Sequence, residues 1–502
     1  MSSVLHVFAS IGLWLLIALV LVGVVPLLAG TMQLVLVTLH GRRNHYAECE
    51  PIFPRTAVIV PAWNEAAVIG TTVDQLMRLE YPKDRIRIYV VDDGSTDETP
   101  EILAAKEAEY PGNVWPLRRE NGGQGKAHTL NYGLDAVLAD DWMQAVLIMD
   151  ADVIYRPDSL RKMARHLADP HVGAVTAYIE EGSATGTYLT RFIGYEYITA
   201  QAAARRGQNV LGALACLAGG AQLHSRENLE ALGGRIDTSS LAEDTFTTFN
   251  TQLGGRRVVF EPHAIVLAEE PATIGALWKQ RLRWARGNVQ VTSHYKHVWF
   301  RHAKGNGLGG TLFGLLWFSL FLQPLLMILA SASLVVLFFV NHNVAWQAFH
   351  ILWITSAACY LFITGFTLLI DPRTGRKTWR QAALFPGLIS VLIMLYTLVP
   401  ILFSRYIASG LRSIDLLPTG AAADAIVLFC YVWLCGCMVV AWLAKVIEAD
   451  GRRPRIAAAL VYVGGYGPLL CVMTFSAYVK QMRHAELVWD KTEKTGKVAL
   501  TS

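Results

Sequence analysis

Two blocks of apolar sequence bracket a middle that reads as ordinary soluble protein. Val4 to His40 is almost free of charge, and after residue 304 apolar runs recur near 311–340, 344–370, 382–403, 424–447 and 456–479. A membrane-spanning helix needs about 20 apolar residues, and lipid offers no water to unpaired backbone groups, so such runs must fold as helices. The chain therefore divides into N-terminal transmembrane segment(s) over 1–40, a soluble domain over 50–300, a C-terminal bundle of transmembrane or interfacial helices over 308–480, and a polar tail over 481–502. The first block is long for one helix. It reads either as two short helices meeting around Val24-Val25-Pro26 or as one helix with an interfacial piece. It is too long for a cleaved signal peptide, and no basic stretch precedes it. Pro386, Gly464-Gly465 and Gly467-Pro468 interrupt the later runs, so some of these need not cross fully.

Basic residues beside a span favour the cytoplasmic side. Arg42-Arg43, the stretch Asp371 to Arg380 and Gly451 to Arg455 therefore place the soluble domain and two basic loops in the cytoplasm of a multi-pass plasma-membrane protein. The net charge of +4, from 44 Lys+Arg against 40 Asp+Glu, is too balanced for nucleic-acid binding, and no basic-aromatic stripe accompanies it. The seven cysteines contain no C-x-x-C pair, and Cys359, Cys430, Cys435, Cys437 and Cys471 sit in apolar runs. They read as small buried hydrophobes rather than a disulfide framework or a zinc site.

Within the middle domain, Thr56 to Pro61 and Ile86 to Val91 are short β-branched runs separated by a helical stretch, Ala66 to Leu79. A second helix follows near Thr99, with Thr96 or Asp97 as its cap. This is a βαβ pattern, which places ligands at the carboxyl ends of its strands. Motifs fall at those ends. Ala145 to Met149 runs into Asp150-Ala151-Asp152. Two carboxylates one residue apart past a buried strand suit Mg²⁺ or Mn²⁺, although a capping Asp and a solvated Asp give the same letters. Asn121-Gly122-Gly123-Gln124-Gly125-Lys126 is either a phosphate cradle of amides and one ammonium or a surface turn. Glu243-Asp244 precedes a helical stretch, where acidic residues favour the dipole and where one carboxylate can act as a general base on a hydroxyl. On the helix-like run Ile274 to Thr292, Gln280, Arg283, Trp284 and Gly287 share a face by i, i+3, i+4, i+7 spacing. That face suits a diphosphate and a sugar ring, and equally a membrane interface.

The ordered set Asp92-Asp93-Gly94, Asp150-Ala151-Asp152, Glu243-Asp244 and Gln280-Arg281-Leu282-Arg283-Trp284 resembles the membrane-embedded processive family 2 glycosyltransferases: cellulose, chitin, hyaluronan and poly-N-acetylglucosamine synthases. The likeness runs from about Thr56 to His294. It implies an α/β GT-A (Rossmann-like) domain inserted between N-terminal and C-terminal transmembrane helices. By the same resemblance Glu65 and Asp93 hold the nucleoside, Lys126 contacts the nucleotide, and Asp150 and Asp152 hold Mg²⁺ or Mn²⁺. Asp244 is the base, while Gln280, Arg283 and Trp284 serve diphosphate and acceptor. The implied reaction is inverting transfer from a UDP-sugar to a polysaccharide or a lipid-linked sugar at a lipid membrane, with room for accessory export subunits. The Leu277 to Trp284 context is most like the poly-N-acetylglucosamine and hyaluronan branch, which favours UDP-N-acetylglucosamine as donor, then UDP-glucose. Two departures stand out. Ala242 replaces the usual Thr before Glu243-Asp244, and no long gating loop of the bacterial cellulose-synthase kind is present. Trp489 to Lys494 resembles a Trp-containing tail element of some relatives. Single transfer to a lipid, or a non-enzymatic export role for an inactive domain, are the competing readings. Retention of Asp150, Asp152, Asp244 and Arg283 opposes the last.

Overall fold

The computed structural model describes residues 2–42, 44–301, 307–410, 418–451, 453–485 and 498. The Trp489 to Lys494 element lies outside them. The chain forms two compact units: Met1–Met32 with Leu315–His484, and Gln33–Gly314 with Ala485–Ser502.

The second unit is built on an eight-stranded mixed sheet of order β3-β2-β1-β4-β7-β6-β8-β5. β1 (Thr56–Ala62), β2 (Ile86–Asp92), β3 (Val114–Arg118) and β4 (Ala145–Ile148) run parallel. β1 is Thr-Ala-Val-Ile-Val-Pro-Ala and is covered on both faces, as a central parallel strand must be. Helix Lys126–Leu138 lies against β1 and β2. Its Gly133 lets the backbones close in, because a Cβ there would sit 2.9 Å from Ile59 Cγ2 and 3.0 Å from Val91 Cγ2. Ile59, Val91, Leu130, Leu134, Val146, Ile148 and Leu229 fill the core between them. β7 (Gln222–Ser225) turns the sheet antiparallel against β4 and β6 (Val172–Glu181). β8 (Arg257–Ala268) then pairs parallel with β6 and antiparallel with the short edge strand β5 (Val153–Tyr155). Register fixes the functional edge: Ala62 is opposite Asp92, and Ile59 is opposite Ile148. The loops after β1, β2 and β4 therefore emerge side by side.

The first unit is helical. The N-terminal block forms helices Ser2–Leu21 and Val25–His40 joined by a 3₁₀ turn, Val22–Val24, with helical backbone on both sides of it, so the block runs on as one candidate span rather than as two separate short helices. Among the described residues four helices are long and apolar enough to cross a membrane, or six if each of two bent pairs is one span. The bent pairs, Pro372–Ala383 with Leu388–Leu398 and Pro454–Gly464 with Tyr466–Met482, turn by 81° and 94°. Their corners pack backbone on backbone. Gly387 and Gly465 both have positive φ, and a Cβ on Gly387 would sit 2.5 Å from the Val463 carbonyl, one on Gly465 2.5 Å from Pro386. A core of Val20, Leu334, Phe349, Trp353, Tyr431 and Cys437 holds the helices, tied by Ser331 Oγ to the Tyr431 carbonyl (2.8 Å) and Trp433 Nε1 to Ser390 Oγ (3.1 Å).

Two sequence expectations change. The run at 311–340 is broken into Thr311–Phe321 and Gln323–Val340, with Pro324 opening the second helix. The basic stretch after Asp371 is a helix, Pro372–Ala383, not a loop. Asp371 caps it by accepting from the Arg373 and Thr374 N–H groups, both at 3.1 Å. Gly375, Thr378, Gln381 and Ala382 turn inward while Arg373, Arg376, Lys377 and Arg380 stay exposed, so charge density concealed a helical period.

Candidate active site

The loop after β1 is locked to the loop after β2. Asn64 adopts a left-handed φ of 52°. It donates its N–H to Ser95 Oγ (2.8 Å) and accepts the Thr96 N–H at Oδ1 (2.8 Å). Asp97 accepts from the Ala66 and Thr99 N–H groups (both 3.1 Å). This knot presents Glu65 at the edge, partly exposed. Asp93 is buried and ion-paired with Arg119, and it also accepts the Gly123 N–H at 2.9 Å. Arg119 in turn holds Gln124 Oε1 at 2.8 Å, so the carboxylate organises the glycine loop. Gly122 passes so near the Asp93 carbonyl that a Cβ would overlap it. Arg119 also lines a groove of about 440 Å³ with His128, Tyr132, Arg235 and Asp237.

Gly125, with φ 106°, turns this loop into helix Lys126–Leu138. Lys126 Nζ lies 2.5 Å from Asp150 Oδ1, donates to the Gly219 carbonyl at 3.1 Å, and sits 3.9 Å from Glu243 Oε1. The opposed carboxylates Asp150, Glu243 and Asp244 hold the ammonium above its usual pKa against the cost of burial. Asp150 is partly exposed and Asp152 is buried two residues on. The turn Gly219-Gly220 packs among these groups. A Cβ on Gly219 would lie 3.4 Å from both Asp244 Oδ2 and Lys126 Nζ, and one on Gly220 3.3 Å from Asp150 Oδ2. Sequence reading missed this turn. Its signal was the small-residue string Ala218-Gly219-Gly220-Ala221 entering β7.

Glu243 and Asp244 form the first turn of helix Glu243–Leu253. Asp244 Oδ1 accepts the Thr245 N–H at 2.7 Å, with Thr245 Oγ1 at 3.3 Å, so the next residue provides a hydroxyl where the preceding one is Ala. Burial, then Asp244, pushes the Glu243 carboxyl up, against the pull of Lys126 and Arg283. Ala242 has a packing role: a Cβ on Gly287 would meet Ala242 Cβ at 2.6 Å. Helix Ile274–His294 thereby closes on the 240–242 loop, stitched by Leu241 N–H to Gln290 Oε1 (3.1 Å). Arg283 faces Glu243 electrostatically, Gln280 and Gly287 are buried, and Trp284 is 38% exposed. Arg281, also missed from sequence, pairs with Glu196 at 3.0 Å and stacks under the Trp284 indole at 4.1 Å. The structure thus brings together Lys126, Asp150, Glu243 and Asp244, with Arg283 next to Glu243. Glu65 and Asp93 stand on the loops alongside.

Behind this helix Tyr197 donates to Glu270 Oε1 at 2.6 Å, just before a π-helical turn, Ile198–Ala203. Burial pushes the Glu270 carboxyl up to about 7, although Arg281, Tyr197 and Gln280 pull it down. The neutral acid is thus the form the fold favours. Its stabilisation is complete below the ordinary value of 4.5 and is lost as pH rises from there through about 7. Glu270→Gln is expected to flatten the melting-temperature profile across that window. Above it, the variant should be the more stable, by on the order of 3 kcal/mol. Parallel profiles for variant and parent protein would exclude Glu270 as the source.

The mixed sheet, with acidic loops gathered at the ends of its parallel strands, is the GT-A glycosyltransferase fold. Residues 54–287 match the family described as glycosyltransferase like family 2. The chain is 33% identical over 319 residues to the "Probable glycosyltransferase YdaM" of Bacillus subtilis, covering 62% of this chain and 73% of that protein. It is 34% identical over 239 residues to the beta-monoglucosyldiacylglycerol synthase of a Synechocystis species, covering 47% of this chain and 48% of the relative. It is 30% identical over 234 residues to the poly-beta-1,6-N-acetyl-D-glucosamine synthase of Staphylococcus aureus, covering 46% and 54%. The chain spans about half the length of these last two relatives. It belongs to glycosyltransferase family 2.

Proposed function

We propose that the chain transfers a hexose, N-acetylglucosamine in first place and glucose in second, from a UDP-sugar to a growing β-linked polysaccharide at the cytoplasmic face of the plasma membrane. The observation that carries this is the meeting of Lys126, Asp150 and Asp244 around Gly219-Gly220 at the strand ends. Asp244 takes the proton of the acceptor hydroxyl as its oxygen attacks the anomeric carbon. The bond from that carbon to the diphosphate breaks, UDP leaves with its electron pair, and the configuration inverts. Glu65 and Asp93 hold the nucleoside side of the donor, and Lys126 and Arg283 face the diphosphate. Gln280 braces the helix, and Trp284, held by Arg281, offers an indole face to the acceptor sugar.

Asp150 and Asp152 fit Mg²⁺ or Mn²⁺. They are hard oxygen donors past β4, and the ammonium of Lys126 at 2.5 Å already sits on Asp150 as a stand-in cation. When bound, the metal neutralises charge on the departing diphosphate. The basic flanks Arg42 and Arg373 to Arg380 support a multi-pass, cytoplasm-facing arrangement in lipid.

A second reading has a specific basis. The Synechocystis relative at 34% identity is named for a lipid acceptor, so single transfer to a membrane lipid fits the same site. Membranes bearing the chain, incubated with radiolabelled UDP-N-acetylglucosamine or UDP-glucose and Mg²⁺ or Mn²⁺, should yield product whose length grows with time. Only short, solvent-extractable lipid product would sink the polymer reading in favour of the second.

A further inference from the structure

Away from the transfer site, three metal-ligating side chains meet in a largely buried place: His45, Cys49 and His166, with one donor atom of each within 4.8 Å of the others. The short helix His45–Glu48, capped by Asn44 through the Ala47 N–H at 3.2 Å, brings Cys49 back beside His45. His166 begins the 3₁₀ turn that ends helix Ser159–Arg165. No spacing motif announces a metal here, because the third residue is 117 positions or more from the other two.

The hydrogen bonding is what points to a cation. The imidazoles lie edge to edge with planes 4° apart and centroids 5.0 Å apart, and their Nδ1 atoms face each other at 2.8 Å. Each Nε2 faces a carboxylate: His45 meets Asp169 Oδ2 at 3.1 Å, and His166 meets Glu261 Oε2 at 2.7 Å. Ionised carboxylates only accept, so each Nε2 carries its ring's hydrogen and each Nδ1 presents a lone pair. Two lone pairs at 2.8 Å repel unless a positive charge lies between them. Imidazoles donating one nitrogen to a carboxylate while the other binds a metal are the usual outer-shell arrangement of metal centres. Cys49 Sγ lies beside the His45 ring, 3.9 Å from Nδ1 and 3.8 Å from Nε2. Tetrahedral zinc, with bonds of about 2.0–2.1 Å to nitrogen and 2.3 Å to sulfur, needs its nitrogens ~3.3 Å apart. The rings must part by about half an ångström and the thiol must swing round to the Nδ1 side of the His45 ring. Arg165, which donates to the Cys49 carbonyl at 2.5 Å, and Arg257, 3.2 Å from Asp169, fix the surround.

We propose that His45 and His166 through Nδ1, and Cys49 through Sγ, bind one divalent metal of the zinc class, with water as fourth ligand. The thiol releases its proton to solvent on binding. The site is structural: it staples the segment after helix Val25–His40 to the 159–169 segment, and through Glu261 to β8.

The test uses the full chain without a histidine tag, in detergent, stripped by chelator and titrated with Co²⁺. One Co²⁺ per chain should give a thiolate charge-transfer band that Zn²⁺ removes. The band should persist in Cys216→Ser and vanish in Cys49→Ser and in His166→Asn. Co²⁺ on Asp150 and Asp152 has only oxygen ligands and gives no such band. A parent chain without the band would mean that the histidines share a proton instead, and would overturn the proposal whatever the variants do. So would a band unchanged in Cys49→Ser.

Discussion

Asp244→Asn is expected to lower kcat by about 10²–10⁴-fold, the usual worth of a positioned general base, with the donor KM within a few-fold of the parent value. The substitution keeps the shape and the oxygen that accepts the Thr245 N–H at 2.7 Å, so local structure should persist while proton acceptance is lost. The neighbouring carboxylate provides the control. Glu243 is buried, its carboxyl is pushed up by burial and by Asp244, and it lies 3.9 Å from Lys126. Its charge balances Lys126 and Arg283, so Glu243→Gln should act mainly on donor affinity and stability. Initial rates at saturating donor, together with UDP binding measured by calorimetry, separate the two effects. If Glu243→Gln loses more turnover than Asp244→Asn, the base is Glu243 and the assignment to Asp244 fails.

The parts of this site legible in the sequence were those with local signals. The β-branched runs that became β1, β2 and β4 carry their chemistry on the next residues in the chain, so Asp93, Asp150 and Asp152 could be placed at strand ends from the run boundaries alone. Helix Ile274–His294 was legible from its period, and that period put Gln280, Arg283, Trp284 and Gly287 on one face. What was hidden depends on approach between distant segments. Nothing near Gly219 in sequence says that Lys126 and Asp244 will both lie against it, 93 residues back and 25 on. Ala242 looked like a lost hydroxyl, but its small side chain is what admits Gly287. Arg119 and Arg281 carried no local signal, because their partners, Asp93 and Glu196, lie 26 and 85 residues away. The same limit applied in the apolar unit. Pro386 and Gly464-Gly465 announced breaks, but that the two breaks meet and brace each other through Gly387 and Gly465 is tertiary information.

Lys126→Met should have the other large effect, and its direction follows from the charges around the ammonium. Lys126 is the cation that Asp150 at 2.5 Å and Glu243 at 3.9 Å share in a mostly buried setting. Removing one partner of a buried pair strands the other, at a cost of about 3–5 kcal/mol. Asp150 is 37% exposed, so the lower end of that range applies. The variant should melt lower and transfer sugar far more slowly, because the diphosphate loses a facing positive charge. Mn²⁺ reveals the rest. A divalent ion held by Asp150, as proposed, would compete with the ammonium that sits on Asp150 Oδ1 and would have to displace it in the parent protein. In the variant that competition would be gone, and the stranded carboxylates would be free to hold the ion. Mn²⁺ should therefore raise the melting temperature of Lys126→Met by more than it raises that of the parent, with tighter binding, even as transfer stays slow. An equal or smaller Mn²⁺ shift in the variant would show that Lys126 and the metal do not share Asp150.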